Sequence, residues 1–331
     1  MISSATGDGF DPAERPLPVP GVGEVRVRVQ VSGVNPTDWK ARSGAGSGDS
    51  GKVPNQDGAG VVDALGEGVD NLTVGQRVWL WEAAWQRDDG TAQQYVVIPD
   101  RQAVPLPDDA SLDLGASLGI PALTAHRALT VADGGPDRLF PDALGGRTVL
   151  VAGGAGAVGH AAIQLARWAG ATVVTTVSSP KKAELAERAG AQHVVNYRSG
   201  NPAEVIRAVA PDGVNIVVEV SPAANAELNT AVVARNAVVA IYADNGGDEI
   251  NLPVRPNTAS NTRYQFILVY TVDPEVKDHA VQDVSAAVRD GALPVGEPAG
   301  LPLHRFPLEQ TSQAHAAVQS GVVGKVLIDV G

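Results

Sequence analysis

The run Thr148-Val149-Leu150-Val151-Ala152-Gly153-Gly154-Ala155-Gly156-Ala157-Val158-Gly159 constrains the fold of this chain more than any other. An apolar, β-branched stretch leads straight into Gly154-x-Gly156-x-x-Gly159. An Ala-rich helix former follows as far as Trp168, with Gly170 as its stop. That is strand, tight turn, helix. Gly154 permits the turn, Gly156 lets a pyrophosphate approach the backbone, and Gly159 lets the helix pack closely on the strand. The free N–H groups and positive dipole end of the helix face the phosphates. Gly154, Ala155, Gly156, Ala157, Val158 and Gly159 are therefore the candidate residues for holding a dinucleotide. The glycine pattern alone would be weak in a chain with 37 Gly; its flanks supply the context it requires.

The next strand, Ala171 to Val177, bears on which dinucleotide. An NAD site places Asp or Glu about 20 residues past the glycines, on the ribose hydroxyls. Here the strand runs into Ser178-Ser179-Pro180-Lys181-Lys182. Two hydroxyls and two ammonium groups favour a 2′-phosphate, so NADPH is the expected cofactor. Lys181 reads as a solvated helix residue. Lys182 opposes the helix dipole in a first turn, and an anionic ligand would help to explain it.

The first third of the chain is β-rich. Glu24 to Val31 alternates strictly, and Gly58–Gly66, Arg77–Trp81 and Thr91–Ile98 are further short strands punctuated by Gly and Pro. They suggest an antiparallel, barrel-like unit. From about Asp113 strands alternate with helices: strands at Val194–Asn196, Val214–Val220 and Ala237–Tyr242, helices at Lys182–Ala189, Pro202–Ala210 and Ala223–Ala234. This pattern predicts an α/β domain with a doubly wound parallel sheet and right-handed crossovers. The tail from Leu301 returns to β character and is expected to rejoin the first unit. The segment Arg42–Gly51 reads as a flexible loop and a candidate lid.

Net charge is −12 with no basic stripe, which argues against nucleic-acid or anionic-membrane binding. There are no cysteines, so disulfides and thiolate metal sites are excluded. The start of the chain has no signal-peptide pattern, and no apolar stretch approaches membrane-spanning length. A cytoplasmic enzyme is the expectation.

Several motifs fall in a recognisable order: Gly33-Val34-Asn35-Pro36-Thr37-Asp38, Gln56-Asp57-Gly58-Ala59-Gly60-Val61-Val62, Val74-Gly75-Gln76-Arg77-Val78, Gly119-Ile120-Pro121-Ala122-Leu123-Thr124-Ala125, the glycine turn, and Asn196-Tyr197-Arg198. In these the chain resembles the zinc-independent NADPH:quinone oxidoreductases, the ζ-crystallin-like group of the medium-chain dehydrogenase/reductase superfamily, over nearly its whole length. The resemblance implies a GroES-like β-barrel catalytic domain (1–121 and 266–331), a Rossmann NADP-binding domain (122–265), a cleft between them and a homodimer. It implies that Lys182 and Tyr197, with Ser178, surround the 2′-phosphate. The N-terminus departs from the family: Met1 to Gly9 is polar and small where relatives begin with a strand, which puts the first barrel strand in doubt.

Zinc alcohol dehydrogenases of the superfamily place Cys, His and a His-Glu pair at positions that here carry Asn35, Pro36, Gln56 and Asp57. Proline cannot ligate and the amides are poor zinc ligands, so no metal is expected. Without a Lewis acid, reduction of a quinone or an α,β-unsaturated carbonyl is easier to support than oxidation of a simple alcohol. Asn35 is the candidate donor to the developing oxyanion, and as an Asn before Pro it is equally readable as a turn cap. Thr124 is a candidate nicotinamide contact by resemblance. Asp38 reads as a helix cap and His160 as a first-turn surface residue. His126 reads as structural, with a proton-donor role as the alternative. Trp79 reads as core, whereas Trp81 or Trp85 could wall a pocket for a flat substrate. The competing functions are an enoyl reductase acting on a biosynthetic intermediate and a non-catalytic NADPH-binding sensor. The edge-strand candidate Gln265–Tyr270 supplies a physical reason for pairing with a second copy.

Overall fold

The structure, a computed structural model, describes residues 1–4, 9–44 and 51–331. It divides into two compact units, Met1–Ile120 with Pro302–Gly331, and Pro121–Leu301.

The first unit is built around the strand Glu24–Val34, whose alternating Val25, Val27 and Val29 enter the core. Its first half pairs with Tyr95–Pro99, its whole length with Asp57–Leu65, and its second half with Lys325–Asp329, all antiparallel. Asp57–Leu65 continues through Arg77–Leu80 to Ala103–Pro105. Lys325–Asp329 continues to Leu303–Pro307, the one parallel strand pair of this sheet among the described residues. Val78, Leu80, Val96, Ile98, Val326 and Ile328 fill the core with the central valines. The C-terminal tail thus joins the unit in which the chain begins. At the N-terminus, Ile2–Ser3 pairs with Phe10–Asp11 as a two-residue ribbon, and the Met1 ammonium donates to the Ala92 carbonyl. Of the expected Arg42–Gly51 loop, the start belongs to the helix Pro36–Gly44, and 45–50 lie outside the described residues.

The second unit carries a six-stranded parallel sheet in the order His193–Asn196, Thr172–Val177, Thr148–Ala152, Val214–Glu219, Val233–Ile241, Arg263–Phe266. Numbered along the chain this is 3-2-1-4-5-6, the doubly wound order, which reverses between Thr148–Ala152 and Val214–Glu219. The buried valines of these strands form near-continuous apolar runs, as strands covered on both faces require.

Two expectations need correction. The edge strand is Arg263–Phe266, and a 3₁₀ turn at Val269–Thr271 replaces the strand expected to reach Tyr270. Short apolar runs do not by themselves separate strand from buried turn; Ile267 is buried just before that turn, and Val269 and Tyr270 are buried in it. The stretch from 266 to 301, assigned from sequence to the first domain, falls in the second unit. Its helix Pro274–Arg289 buries Ala280, Val284, Ala287 and Val288. From the same helix Asp283 binds His126, Arg138 and the Leu139 N–H.

Candidate active site

The glycine turn of the second unit is made almost wholly of backbone. The sequence pattern reads Gly154 as the residue that permits the turn; the positive φ of the turn (71°) belongs to Gly153. Gly154 is required for another reason: a Cβ there would overlap the Thr175 hydroxyl of the neighbouring strand. A Cβ at Gly159 would overlap the Gly153 carbonyl oxygen, which is the close helix–turn packing expected of it. Gly156 differs from both. It is exposed, and the nearest atom to an added Cβ, the Gly153 oxygen, is 3.5 Å away. Gly156 is also the N-cap of the helix Ala157–Trp168 and offers no side chain to it. The first turn of that helix therefore begins with no side-chain cap and with open space at Gly156, the dipole behind it, which suits a phosphate. Ala155 is buried in the floor of the turn.

At the end of the adjacent strand, Asn196 pairs with Val177 and the Tyr197 N–H donates to the Val177 carbonyl (3.0 Å). This brings Tyr197, 47% exposed, to the strand end that carries Ser178. Ser179 caps the next helix, Pro180–Arg188, by accepting from the Lys182 N–H (3.3 Å). Lys182 is half-buried in the first turn of that helix, and Lys181 is exposed. The backbones of Ser178, Lys182 and Tyr197 thus belong to one corner of the second unit.

Two histidines of this unit, His160 and His126, are structural. His160, expected at the surface, is buried, and its Nε2 lies 3.0 Å from the Pro294 carbonyl oxygen; burial lowers its pKa to about 4. Ala-rich periodicity hid the fact that the helix is covered on that side. His126 is buried against Asp283 (2.8 Å), which also pairs with Arg138, and burial lowers its pKa. That makes it a tie between elements and removes the proton-donor alternative. Thr124 is buried on the helix Leu112–Leu129.

In the first unit, strand register assembles a second polar group. Gly33 pairs with Asp57 and Val34 with Val326, so Asn35, Asp57 and Lys325 meet just beyond the end of the central strand. The Lys325 Nζ donates to Asn35 Oδ1 (2.8 Å) and to Asp57 Oδ2 (3.2 Å), and Asn35 Nδ2 donates to Asp57 Oδ2 (2.6 Å). Asp57 Oδ1 accepts the Ile120 N–H (2.9 Å) where the helix Leu112–Leu129 kinks at Gly119; a Cβ at Gly119 would overlap the carboxylate. Gly33 is required chiefly by the Ala116 carbonyl oxygen, which an added Cβ would overlap, and the Lys325 Cε would stand 3.1 Å from the same atom. Asn35 is 2% exposed, Lys325 1% and Asp57 0%. Burial pushes the Asp57 pKa up against the pull of Lys325 and the Asn35 hydrogen bond.

The surroundings are equally ordered. Asp38 accepts the Asn35 N–H (2.6 Å) as a cap at the start of the Pro36–Gly44 helix, and its other oxygen is buried without a partner. Burial raises its pKa to about 7, with the Asp57 charge adding to the effect and the Asn35 N–H and Lys325 opposing it. A buried chain leads from His315 Nε2 to Asn55 (2.8 Å), on to Ser32 (2.9 Å) and Thr91 (2.7 Å), and ends on the Asp57 carbonyl (2.6 Å). Gln56 is structural, its Oε1 accepting the Ala84 N–H (3.1 Å). Trp79 and Trp81 are both buried, so Trp81 is no pocket wall; Trp85 is partly exposed.

Sequence reasoning found Asn35 but missed Lys325. The available signal was a lone Lys inside the apolar run Val322–Ile328. The turn-cap reading of the Asn35 side chain does not hold, because both of its polar atoms face Asp57 and Lys325. The donor set does not fit zinc: the ammonium of Lys325 already supplies the positive charge between Asn35 and Asp57, and Gln56 is turned to backbone.

Comparison with known proteins agrees with both units. The model of the alcohol dehydrogenase GroES-like domain matches residues 21–108, and that of the zinc-binding dehydrogenases matches residues 157–286. A quinone oxidoreductase of Rattus norvegicus is 28% identical over 319 residues, 94% of this chain and 91% of the relative. A solved NAD-dependent alcohol dehydrogenase superposes with a TM-score of 0.81 at 26% identity, covering 96% of this chain and 95% of the other. A mycobacterial protein solved with NADPH superposes with a TM-score of 0.78 at 26% identity, covering 96% and 94%. The chain belongs to the medium-chain dehydrogenase/reductase superfamily, with quinone oxidoreductases among its relatives.

Proposed function

We propose that the protein is an NADPH-dependent, metal-independent reductase of quinones or α,β-unsaturated carbonyls. The observation that carries this reading is the pairing of an open phosphate turn at Gly156 with Ser178, Lys182 and Tyr197 at the neighbouring strand end, where the segment Ser178–Lys182 carries no carboxylate to repel a 2′-phosphate. Bound NADPH supplies a hydride. The turn and helix Ala157–Trp168 hold its pyrophosphate, and Lys182 with Tyr197 and Ser178 holds the 2′-phosphate. Thr124 contacts the nicotinamide, a role that rests on resemblance. Asn35 has two amide hydrogens and spends one on Asp57, which leaves one to donate to the acceptor's carbonyl oxygen as negative charge develops there. A quinone or enone accepts hydride without a Lewis acid because conjugation already makes it electron-poor. The quinone oxidoreductase relatives and the NADPH-bound neighbour support the reading.

The same reading takes the first sheet as a closed GroES-like barrel and the protein as a cytoplasmic homodimer. For the dimer, Phe266 (66% exposed) and Leu268 (51% exposed) stand at the free edge formed by Arg263–Phe266, an apolar edge that a second copy could cover. A monomeric mass by light scattering at micromolar concentration would refute it. The activity is tested by following NADPH absorbance with a panel of quinones and enones, with NADH and a chelator as controls. Turnover that favours NADPH and survives the chelator is expected. Activity confined to enoyl thioesters would make it an enoyl reductase, and tight NADPH binding without turnover of any acceptor would make it a sensor.

A further inference from the structure

A buried Lys–Asp pair is costly to make, because two charges leave water. Here neither partner reaches solvent, and the pair is not needed to close a strand ladder, since the backbone bonds of Lys325–Asp329 and Asp57–Leu65 run on either side of it regardless. What the two charges share is Asn35. The ammonium takes the amide oxygen at 2.8 Å and the carboxylate takes the amide nitrogen at 2.6 Å, so each end of the amide is held by the charge that matches it. The amide plane is thereby fixed, and the exchange of Oδ1 for Nδ2 is forbidden. An ammonium on the oxygen also withdraws electron density from the amide and makes its remaining N–H a stronger donor. The carboxylate is itself fixed, by the Ile120 N–H on Oδ1 and by the Thr91 hydroxyl on its own carbonyl.

We infer that Lys325 and Asp57 are positioning residues that clamp and polarise the Asn35 amide, so that its free N–H is presented to the acceptor oxygen in a single orientation. The inference rests on Asn35 being the oxyanion donor. It adds that the donor works only in the grip of this pair. Neither Lys325 nor Asp57 touches the acceptor; both act through Asn35. A clamp of this kind contributes to the hydride-transfer step, in which the electron pair displaced from the acceptor's double bond moves onto its oxygen. It contributes nothing to cofactor binding, which the second unit carries.

A double-mutant cycle on the full-length protein separates the possibilities. Lys325→Met alone leaves a buried, unpaired carboxylate and risks failing to fold, so the pair is neutralised together as Asp57→Asn/Lys325→Met. Kcat with an enone acceptor, NADPH affinity by fluorescence and the thermal transition are measured for this variant, for Asn35→Ala and for the combination. The expected result is a loss of kcat of roughly 10- to 100-fold in the neutral-pair variant with NADPH affinity unchanged, a loss of about 10- to 1,000-fold in Asn35→Ala, and a combination no slower than about twofold below Asn35→Ala alone. A neutral-pair variant with normal kcat, or losses that multiply in the combination, would overturn the clamp while leaving Asn35 as the donor. Unaltered kcat in Asn35→Ala would remove the donor and the clamp with it.

Discussion

The glycine turn of the second unit and the Asn35 group of the first meet the problem of polar atoms in opposite ways. The turn is backbone, open, and leaves its helix N–H groups unpaired by side chains. The Asn35 group is side chain, closed, and spends nearly every donor and acceptor internally. An open site is completed by what binds it, so changes there should register in affinity before stability. A closed group with one N–H left over is already held together without a ligand, so changes to its internal partners should register in stability first.

The largest effect expected from breaking that contrast is on the closed side. Lys325→Met alone should destabilise the protein by about 3–5 kcal/mol, because it strands the Asp57 carboxylate in the interior. Neutralising both partners should cost much less. Urea unfolding of the two variants checks this, and equal losses would mean that the ammonium acts through packing rather than charge.

Asp38 sharpens the same side through pH. Its folded pKa, about 7, lies above the value of about 4 usual for an unfolded aspartate. The carboxyl therefore favours the folded state fully below pH about 4, and that advantage is lost as pH rises through about 7. Asp38→Asn does not titrate. Its stability relative to the parent should rise by up to about 4 kcal/mol between pH 4 and 7, since three units correspond to roughly that energy. A difference that is flat across this window would mean that Asp38 ionises at an ordinary pKa.

On the open side the glycines should divide. Gly156→Ala should leave the thermal transition unchanged and weaken NADPH about 10- to 100-fold, because its Cβ points into free space where a phosphate would lie. Gly159→Ala should instead cost about 1–3 kcal/mol of stability, as overpacking against the Gly153 carbonyl. Equal behaviour of the two would erase the distinction between approach and packing.

The smallest effect is at the strand end. Lys182→Ala should weaken NADPH about tenfold, the worth of roughly one charge-assisted contact, and leave NADH nearly unchanged. Titration with both cofactors decides it, and parallel losses would remove Lys182 from the 2′-phosphate.

The second unit was legible because its signals are local. Strand, turn and helix lie within one stretch from Thr148 to Trp168, and the strand end at Val177 is followed at once by the residues that choose the phosphate. Even there the fine assignment needed the structure. The glycine pattern pointed to Gly154 for the turn, whereas Gly153 takes the positive φ and Gly154 yields to Thr175. His160 read as exposed because a helix pattern shows which faces are apolar, not what covers them. The run after Phe266 read as strand because four or five apolar residues fit a strand and a buried turn alike.

By itself the sequence determined the two kinds of unit, the parallel sheet, the phosphate turn and the absence of a thiolate metal site, because each follows from residue type and short-range period. Only the tertiary structure decided how the Asn35 amide is held. Lys325 lies 290 residues from Asn35 and 268 from Asp57, and no local pattern relates them. They meet because an antiparallel strand from the end of the chain takes one register against Glu24–Val34, and a shift of a single residue would turn Lys325 to the other face of the sheet.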